Sequence, residues 1–419
     1  MDVYKILALN CGSATVKYQL FATGPVLMAR GEERVLARGG VDRIGKPDAT
    51  VTIEVNGEKR RMERAAPDHR RGVELVLECL ADAGNGVLES VSEIDGVGNR
   101  IVHGGEYYSE SVVIDEEVER RIEECVALAP LHNPHHLSGY RAVRAALPGK
   151  PNVAVFDTAF HQTVPRYAYL FGLPYELYER YKIRRFGFHG TSYRYVSQRF
   201  AEARGRRLEE LRLIICHLGS GSSACAVAGG KSVEMSMGFT PLDGLMMGTR
   251  AGLLDPGVLL HLMSARGYSA ERISEMLHHE SGLLGVSGIS NDMRTLVREA
   301  AEGNERAQLA IDVFCYRVKK FIGTFYAVLN GADALIFTGG IGENQPVVRA
   351  ACCAALEALG IELDNERNRA VRGDEGRISR DGAATEVWVT PTNEELLIAR
   401  ETVGLIAGTG GTRASGCDI

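Results

Sequence analysis

Two short hairpins, about two hundred residues apart, carry the same grammar, and together they limit what this chain can fold into. Near the N-terminus the apolar run Ile6-Leu7-Ala8-Leu9-Asn10 enters the polar turn Cys11-Gly12-Ser13-Ala14-Thr15, and a return strand follows through Lys17 to Phe21. Much later, Leu213-Ile214-Ile215-Cys216-His217 enters Leu218-Gly219-Ser220-Gly221-Ser222-Ser223, and Ala224 to Ala228 closes the second copy. A Gly/Ser turn between strands is ordinarily only a turn. Two copies, each opening one half of a chain, have backbone N–H groups and hydroxyls free to face phosphate oxygens. Lys17, just after the first turn, adds a cation. The pattern implies a duplicated fold that holds a nucleotide between its halves, and with it a phosphotransferase. No GxxxxGK[ST] sequence and no GxGxxG opening a helix occurs, so neither an ordinary P-loop nor a Rossmann fingerprint explains the turns.

At 419 residues the chain is long for one core and fits two domains. Strand and helix signals alternate throughout, which implies an α/β fold with a mixed sheet in each half. Helical spacing is expected over about Arg70–Ala83, Glu116–Ala129, the stretch after Asn133-Pro134, and Asn304–Leu329. Strands are expected at Val51–Val55, Ile94–Ile101, Val153–Phe156, Ala334–Thr338 and Glu386–Val389. Gly408–Ile419, rich in Gly, Ser and Thr, reads as a frayed tail. A net charge of −6 argues against nucleic acid as the main partner. No apolar run is long enough to span a membrane, and the start lacks a signal-peptide pattern. Nine cysteines without CxxC or zinc spacing fit a reducing cytoplasm.

In α/β sheets, ligands bind beyond strand ends, where turns expose polar groups. The groups expected there share an electrostatic theme. Lys17, Arg100, His132, His189 and Arg250 are cationic or can become so, whereas Asn10, Asp157 and Glu394 can hold a metal or orient a substrate. Phosphoryl transfer needs that mix of cations around the moving group, a metal, and a positioned acceptor. Each residue taken singly has a bland alternative: Arg100 as a surface ion pair, His132 and His189 as turn histidines, Asp157 as a buried strand-end carboxylate.

The runs VHGGE, APLHNP, FDTAFHQT, RRFGFHGTS, HLGSGSS, SMGFTPLDGLMMGTR, SGLLGVSGISNDMR, FTGGIGEN and PTNEEL follow one another from Val102 to Leu396. In wording and order they resemble the acetate and propionate kinase family, within the sugar kinase, heat-shock 70 and actin superfamily. That resemblance implies two duplicated ribonuclease H-like (actin-like ATPase) domains with an interdomain active-site cleft. Residues 1–160 plus a C-terminal helix 394–419 would form the acid and phosphoryl side, and 161–393 the nucleotide side. It implies reversible transfer of the ATP γ-phosphoryl to acetate, with Mg²⁺ or Mn²⁺, in a homodimer.

By the same resemblance Asn10 and Glu394 hold the metal, and Lys17, with Ser13 and Thr15, approaches the transferring phosphoryl. Arg100 holds the carboxylate, and Asp157 is the family's catalytic acid. His189 and Arg250 stabilise the transition state, with His132 beside them. The nucleotide lies along His217, Leu218, Gly219, Ser220 and Gly221, then Asp292, Met293 and Arg294, then Gly340, Ile341, Gly342, Glu343 and Asn344. Acetate is already ionised at neutral pH, so Asp157 fits orienting Arg250 or a metal-bound water as well as proton transfer. The chain departs from the family pattern at Ser220 (commonly Asn), Thr15 (Ser), Asn99 (His), Tyr193 (His) and Asp243 (Glu), and it lacks the usual acidic residue at 253. Propionate or butyrate kinase is the near alternative. A non-catalytic, actin-like nucleotide-binding module is the alternative of another class.

Overall fold

The computed structural model describes residues 2–82, 84 and 86–408. The chain divides into two compact units, Met1–Ala159 with Asn393–Ile419, and Phe160–Thr392. Most of the tail expected at Gly408–Ile419, and the end of a helix drawn to 419, lie outside the described residues.

The first unit is built on eight strands: β1 (Tyr4–Cys11), β2 (Thr15–Thr23), β3 (Arg34–Asp42), β4 (Thr50–Val55), β5 (Glu58–Glu63), β6 (Gly96–Ile101), β7 (Val112–Val113) and β8 (Asn152–Phe156). They lie in the order β5-β4-β3-β2-β1-β6-β8-β7. The expected hairpin is β1–β2, antiparallel, with Asn10 opposite Lys17. Next to it β6 runs parallel to β1, and β8 parallel to β6, with Arg100 beside Val155. The ends of β1, β6 and β8 therefore come out on one side of the sheet. Strand alternation sorts the core. Leu7 and Leu9 join one apolar cluster with Val73, Val76, Leu77 and Val143, whereas Ile6 and Ala8 join another with Ile398, Ala399 and Val403.

Helix His69–Leu80 buries Val73, Val76, Leu77 and Leu80, the spacing of a single helical face, and Asp68 caps it by accepting from the Arg71 N–H. Helix Glu394–Ile406 covers the other face. It comes so close to β6 that a Cβ on Gly98 would stand 2.4 Å from Ile398 Cγ2. Only glycine fits there.

The second unit repeats this plan with β9 (Arg212–Leu218), β10 (Ser222–Ala228), β11 (Lys231–Met235), β12 (Ala334–Thr338), β13 (Gly376–Arg377) and β14 (Glu386–Val389), ordered β11-β10-β9-β12-β14-β13. Its hairpin is β9–β10, and β12 runs parallel to β9 as β6 does to β1. Helix Glu305–Leu329 buries Ala307, Ile311, Phe314, Val318, Ile322, Phe325 and Leu329, a stripe at steps of three or four. Helix Gly190–Arg204 packs Tyr193, Val196 and Phe200 on the opposite face, against Leu213, Ile215 and Val227.

The structure differs from the sequence expectations at several ends. The helix begun at Glu116 stops at Glu124 and continues as a tighter turn, Cys125–Ala127. Gly339–Asn344, three of whose six residues are glycines, is itself a short helix. No described helix is long and apolar enough to cross a membrane.

Candidate active site

In the first unit, three strand ends and one helix start meet around a single guanidinium. Arg100, on β6, donates from Nε to Asp157 Oδ1 at 3.0 Å and from Nη2 to Asp157 Oδ2 at 2.5 Å. Its Nη1 donates to Asn10 Oδ1 at 3.1 Å, and Glu394 Oε2 lies 4.0 Å from Nε. Asp157 is only 1% exposed, one residue past the end of β8. This is a forked ion pair, and it fixes the plane of the arginine. Burial opposes the charge on Arg100. The Coulombic pull and hydrogen bonds of Asp157, with Glu394 and Glu395 beyond, outweigh it and hold the pKa above the ordinary arginine value.

The Glu394 carboxyl is pushed up to about 7, chiefly by burial; Arg100 pulls it down, and Asp157 and Glu395 push it up. Asn10 Oδ1 and the Glu394 carboxylate are oxygen donors beside one guanidinium. Among the described residues no group of three or more His, Cys, Asp or Glu could hold a metal. One carboxylate and one amide oxygen nevertheless fit Mg²⁺, which keeps waters and takes phosphate oxygens for its remaining positions.

The flanking turns are pinned by buried polar groups. Asn133, at the start of helix Asn133–Ala146, accepts from the His103 N–H at 3.2 Å and donates to the His103 carbonyl at 3.0 Å. That ties the APLHNP turn, with His132 as helix cap, to the VHGGE turn. His136 is held well below the usual histidine range by burial first and then by the charge of Arg100, with His132 contributing. Ser13 and Lys17 are exposed and Thr15 is half-buried. The His69 Nε2–H donates to the Gly12 carbonyl of the same turn at 2.6 Å.

The second unit gathers a different cluster. His189 caps helix Gly190–Arg204 with φ of 58°, a left-handed backbone that is strained for histidine. The conformation is braced by His161, whose Nε2–H donates to the Phe188 carbonyl at 3.0 Å while Nδ1 meets Ser232 Oγ at 2.8 Å. The His189 ring stacks on His217, centroids 4.3 Å apart and planes 25° from parallel. Ser192 Oγ holds His217 Nδ1 at 2.8 Å.

Arg250 is half-buried and donates from Nη1 to the Pro241 carbonyl at 2.8 Å. It makes no ion pair among the described residues, and burial lowers its pKa. Gly221 explains the convergence: a Cβ there would lie 3.0 Å from Arg250 Nη2 and 3.6 Å from His189 Nε2. Both groups therefore look onto the bare backbone of the second turn.

The remaining predicted residues surround that turn. The Gly248 N–H donates to the Ser220 carbonyl at 3.1 Å, and Gly248 also sits against Asn291, the residue before Asp292. Gly339 packs on the backbone of Leu218, which brings Gly340–Asn344 next to His217–Gly221. Three of the predicted side chains turn out to be committed elsewhere. Met293 is buried in the core, and Asp292 caps its helix and pairs with Arg294. Glu343 accepts from the N–H groups of Gly339 at 2.8 Å and Thr392 at 3.2 Å. These three shape the loops rather than reach outward.

Arg349 was not singled out from the sequence. It is fully buried and donates to the carbonyls of Gly342, Glu343, Asn368 and Val371 and to the Asn368 side chain. His161 and Ser223 were missed as well, and Tyr193 was noted only as a departure from the family pattern. The available signal was the serine pair Ser222-Ser223 opening an otherwise apolar strand, because a buried serine needs a partner.

The acetokinase family model matches residues 5–400. An acetate kinase of Caldicellulosiruptor saccharolyticus is 52% identical over 403 residues, covering 96% of this chain and 99% of that protein. The crystal structure of Porphyromonas gingivalis acetate kinase aligns with a TM-score of 0.91 at 46% identity, over 96% of this chain and all of that one. A propionate kinase from Francisella tularensis aligns at 0.87 and 39% identity, over 95% of this chain and 99% of that one. With both clusters in place and the match running along nearly the whole chain, this protein belongs to the acetokinase family.

Proposed function

We propose that the chain catalyses the reversible transfer of the γ-phosphoryl group of ATP to acetate, giving acetyl phosphate and ADP. The observation that carries this is the cation at the second turn: Arg250, which makes no ion pair among the described residues, faces Gly221 with His189 beside it. A binding module has no need of such a pair, whereas a transferring phosphoryl group does. Relatives named acetate kinase at about half identity favour acetate over propionate, whose kinase stands at 39%.

In this reading Arg100 holds the acid by its carboxylate, its plane set by Asp157. A carboxylate oxygen attacks the γ-phosphorus in line as the bond to the β,γ-bridging oxygen breaks, and ADP leaves with that electron pair. No proton moves, so Asp157 acts by orienting Arg100. The turn around Gly219–Gly221 and the Gly340–Asn344 segment hold the nucleotide. Asn10 and Glu394 would hold Mg²⁺, which when bound neutralises phosphate charge. Lys17, His132, His189 and Arg250 supply the remaining positive field. Hydroxylamine trapping of acyl phosphate tests the proposal: hydroxamate should form with ATP, Mg²⁺ and acetate, and its absence with every short acid would leave only the binding-module reading.

Because a proton and a cation compete for Glu394, Mg²⁺ affinity is expected to fall as pH drops through about 7. Calorimetric titration with Mg²⁺ and ADP at several pH values checks this. In Glu394→Gln the pH dependence should vanish along with about tenfold or more of the affinity.

We place the enzyme in a reducing compartment, where its eight described cysteines stay free thiols. We also propose a homodimer formed through helix Pro256–Arg266. That helix buries none of its residues, yet it exposes Val258, Leu260 (67%) and Met263. An apolar helix left bare in this way is normally covered. Leu260→Asp should convert a dimer to a monomer in sedimentation equilibrium, weakening association by about 100-fold or more. A wild-type monomer, or a variant that stays dimeric, would contradict this.

A further inference from the structure

A guanidinium carries five N–H donors, and Arg349 uses all of them on uncharged oxygens. The residue is 0% exposed and sits on helix Pro346–Cys353. Nη1 donates to the carbonyls of Gly342 at 2.8 Å and Glu343 at 2.9 Å. Nη2 donates to the carbonyls of Asn368 at 2.7 Å and Val371 at 2.8 Å, and Nε donates to Asn368 Oδ1 at 2.8 Å. One arm of the fork therefore grips the end of Gly339–Asn344, and the other arm grips the end of helix Asn365–Ala370.

The two carbonyls that Nη1 takes lie at the C-terminal end of their helix, where no intrahelical N–H reaches them. So short a helix, with three glycines in it, has little preference of its own for one shape. Its shape is imposed by its partners. The Glu343 carboxylate accepts from the Gly339 and Thr392 N–H groups, and its carbonyl accepts from the Gly373 N–H at 3.1 Å as well as from Arg349. Asn368 Nδ2 donates to the Pro346 carbonyl at 2.9 Å, which fixes the start of the arginine's own helix. Gly340, by contrast, is exposed, and a Cβ there would meet no heavy atom within 4 Å. Burial first, and then the charge of Arg372, push the Arg349 pKa down to about 10, so the group is still a cation at neutral pH.

We propose that Arg349 is a positioning residue for the nucleotide: its fork ties Gly339–Asn344 to the Asn368–Val371 turn and holds the Gly340–Asn344 backbone in the shape that receives ATP and ADP. The inference rests on the reading that this segment holds the nucleotide. A lysine offers one compact ammonium in place of a planar fork, so it cannot hold both pairs of carbonyls at once. Arg349 touches no residue assigned to the acid, so the effect should fall on the nucleotide alone.

Four full-length variants test this, Arg349→Lys, Arg349→Met, Val348→Ala and Gly340→Phe, by calorimetric Kd for ADP with Mg²⁺, steady-state kinetics and thermal unfolding. Both Arg349 variants should weaken ADP binding by about tenfold or more and raise KM for ATP in step. In both, KM for acetate and kcat at saturating ATP should stay within about threefold of wild type. If Arg349→Met does not fold, Arg349→Lys carries the same expectation. Val348→Ala removes buried bulk next to Arg349 and should lower Tm, yet leave Kd for ADP within about twofold of wild type. Amide exchange across residues 339–344 should quicken in Arg349→Lys and not in Val348→Ala. Three results would each overturn the positioning role: ADP affinity within about twofold of wild type in Arg349→Lys, an equal loss in Val348→Ala, or an Arg349→Lys chain that does not fold. Gly340→Phe should obstruct the segment and weaken ADP binding by about tenfold or more. Undiminished affinity in that variant would overturn instead the reading that the segment holds the nucleotide.

Discussion

Arg250→Ala is expected to lower kcat by about 1,000-fold while KM for ATP and for acetate stay within about threefold of wild type. The guanidinium is anchored at one end only, through Nη1 to the Pro241 carbonyl, and its other edge faces the second turn. With no ion pair among the described residues, its charge is left for an anion that arrives. Burial lowers the stability of that charge in the resting protein, so a gain in negative charge across from it is strongly felt. A lysine would keep the charge and lose the planar fork, so Arg250→Lys should recover only a small part of the rate. Steady-state kinetics in both directions decide the matter. A large rise in KM with kcat intact would move Arg250 from the transition state to ground-state binding.

Arg100→Ala should act in the opposite sense and on two properties at once. KM for acetate should rise by about 100-fold, because the fork that would grip a carboxylate is gone. Stability should also fall, by about 3–5 kcal/mol, since the buried Asp157 loses the forked ion pair to Arg100. Adding Asp157→Asn to Arg100→Ala removes the buried charge. The double variant should regain most of the stability and none of the acetate affinity. Urea unfolding and acetate saturation curves measured on the same preparations separate the two effects. Stability unchanged in Arg100→Ala would mean that the pair does not hold the strand ends together.

The twin hairpins were legible because a strand, a Gly/Ser turn and a return strand are local features, and both occur as read. Asn10, Arg100 and Glu394 could be listed as strand-end and helix-start polar residues, and the first unit does bring them together. What could not be read was pairing across sequence distance. Arg100 and Asp157 meet because β6 and β8 are parallel neighbours in one register, and register is set by the packed sheet. Asp157 was expected to orient Arg250 or a metal-bound water as readily as to transfer a proton, and the geometry gives it Arg100 to orient. His161, Ser223 and Arg349 escaped notice for a related reason: each is a buried polar group whose partners lie on other elements. The Met293 side chain lies in the core and that of Glu343 accepts from a loop N–H, placements that a motif does not reveal because it marks a loop without saying which of its side chains face inward.

The most direct measurement is kcat/KM for acetate, propionate and butyrate side by side, with ATP and Mg²⁺. One added methylene in an acyl pocket is worth about 1–3 kcal/mol, or roughly 10- to 200-fold. Acetate should therefore be preferred over propionate by at least about tenfold, and over butyrate by more. Higher kcat/KM for propionate or butyrate would contradict acetate as the acceptor, and no turnover with any of the three would contradict phosphoryl transfer to a carboxylate altogether.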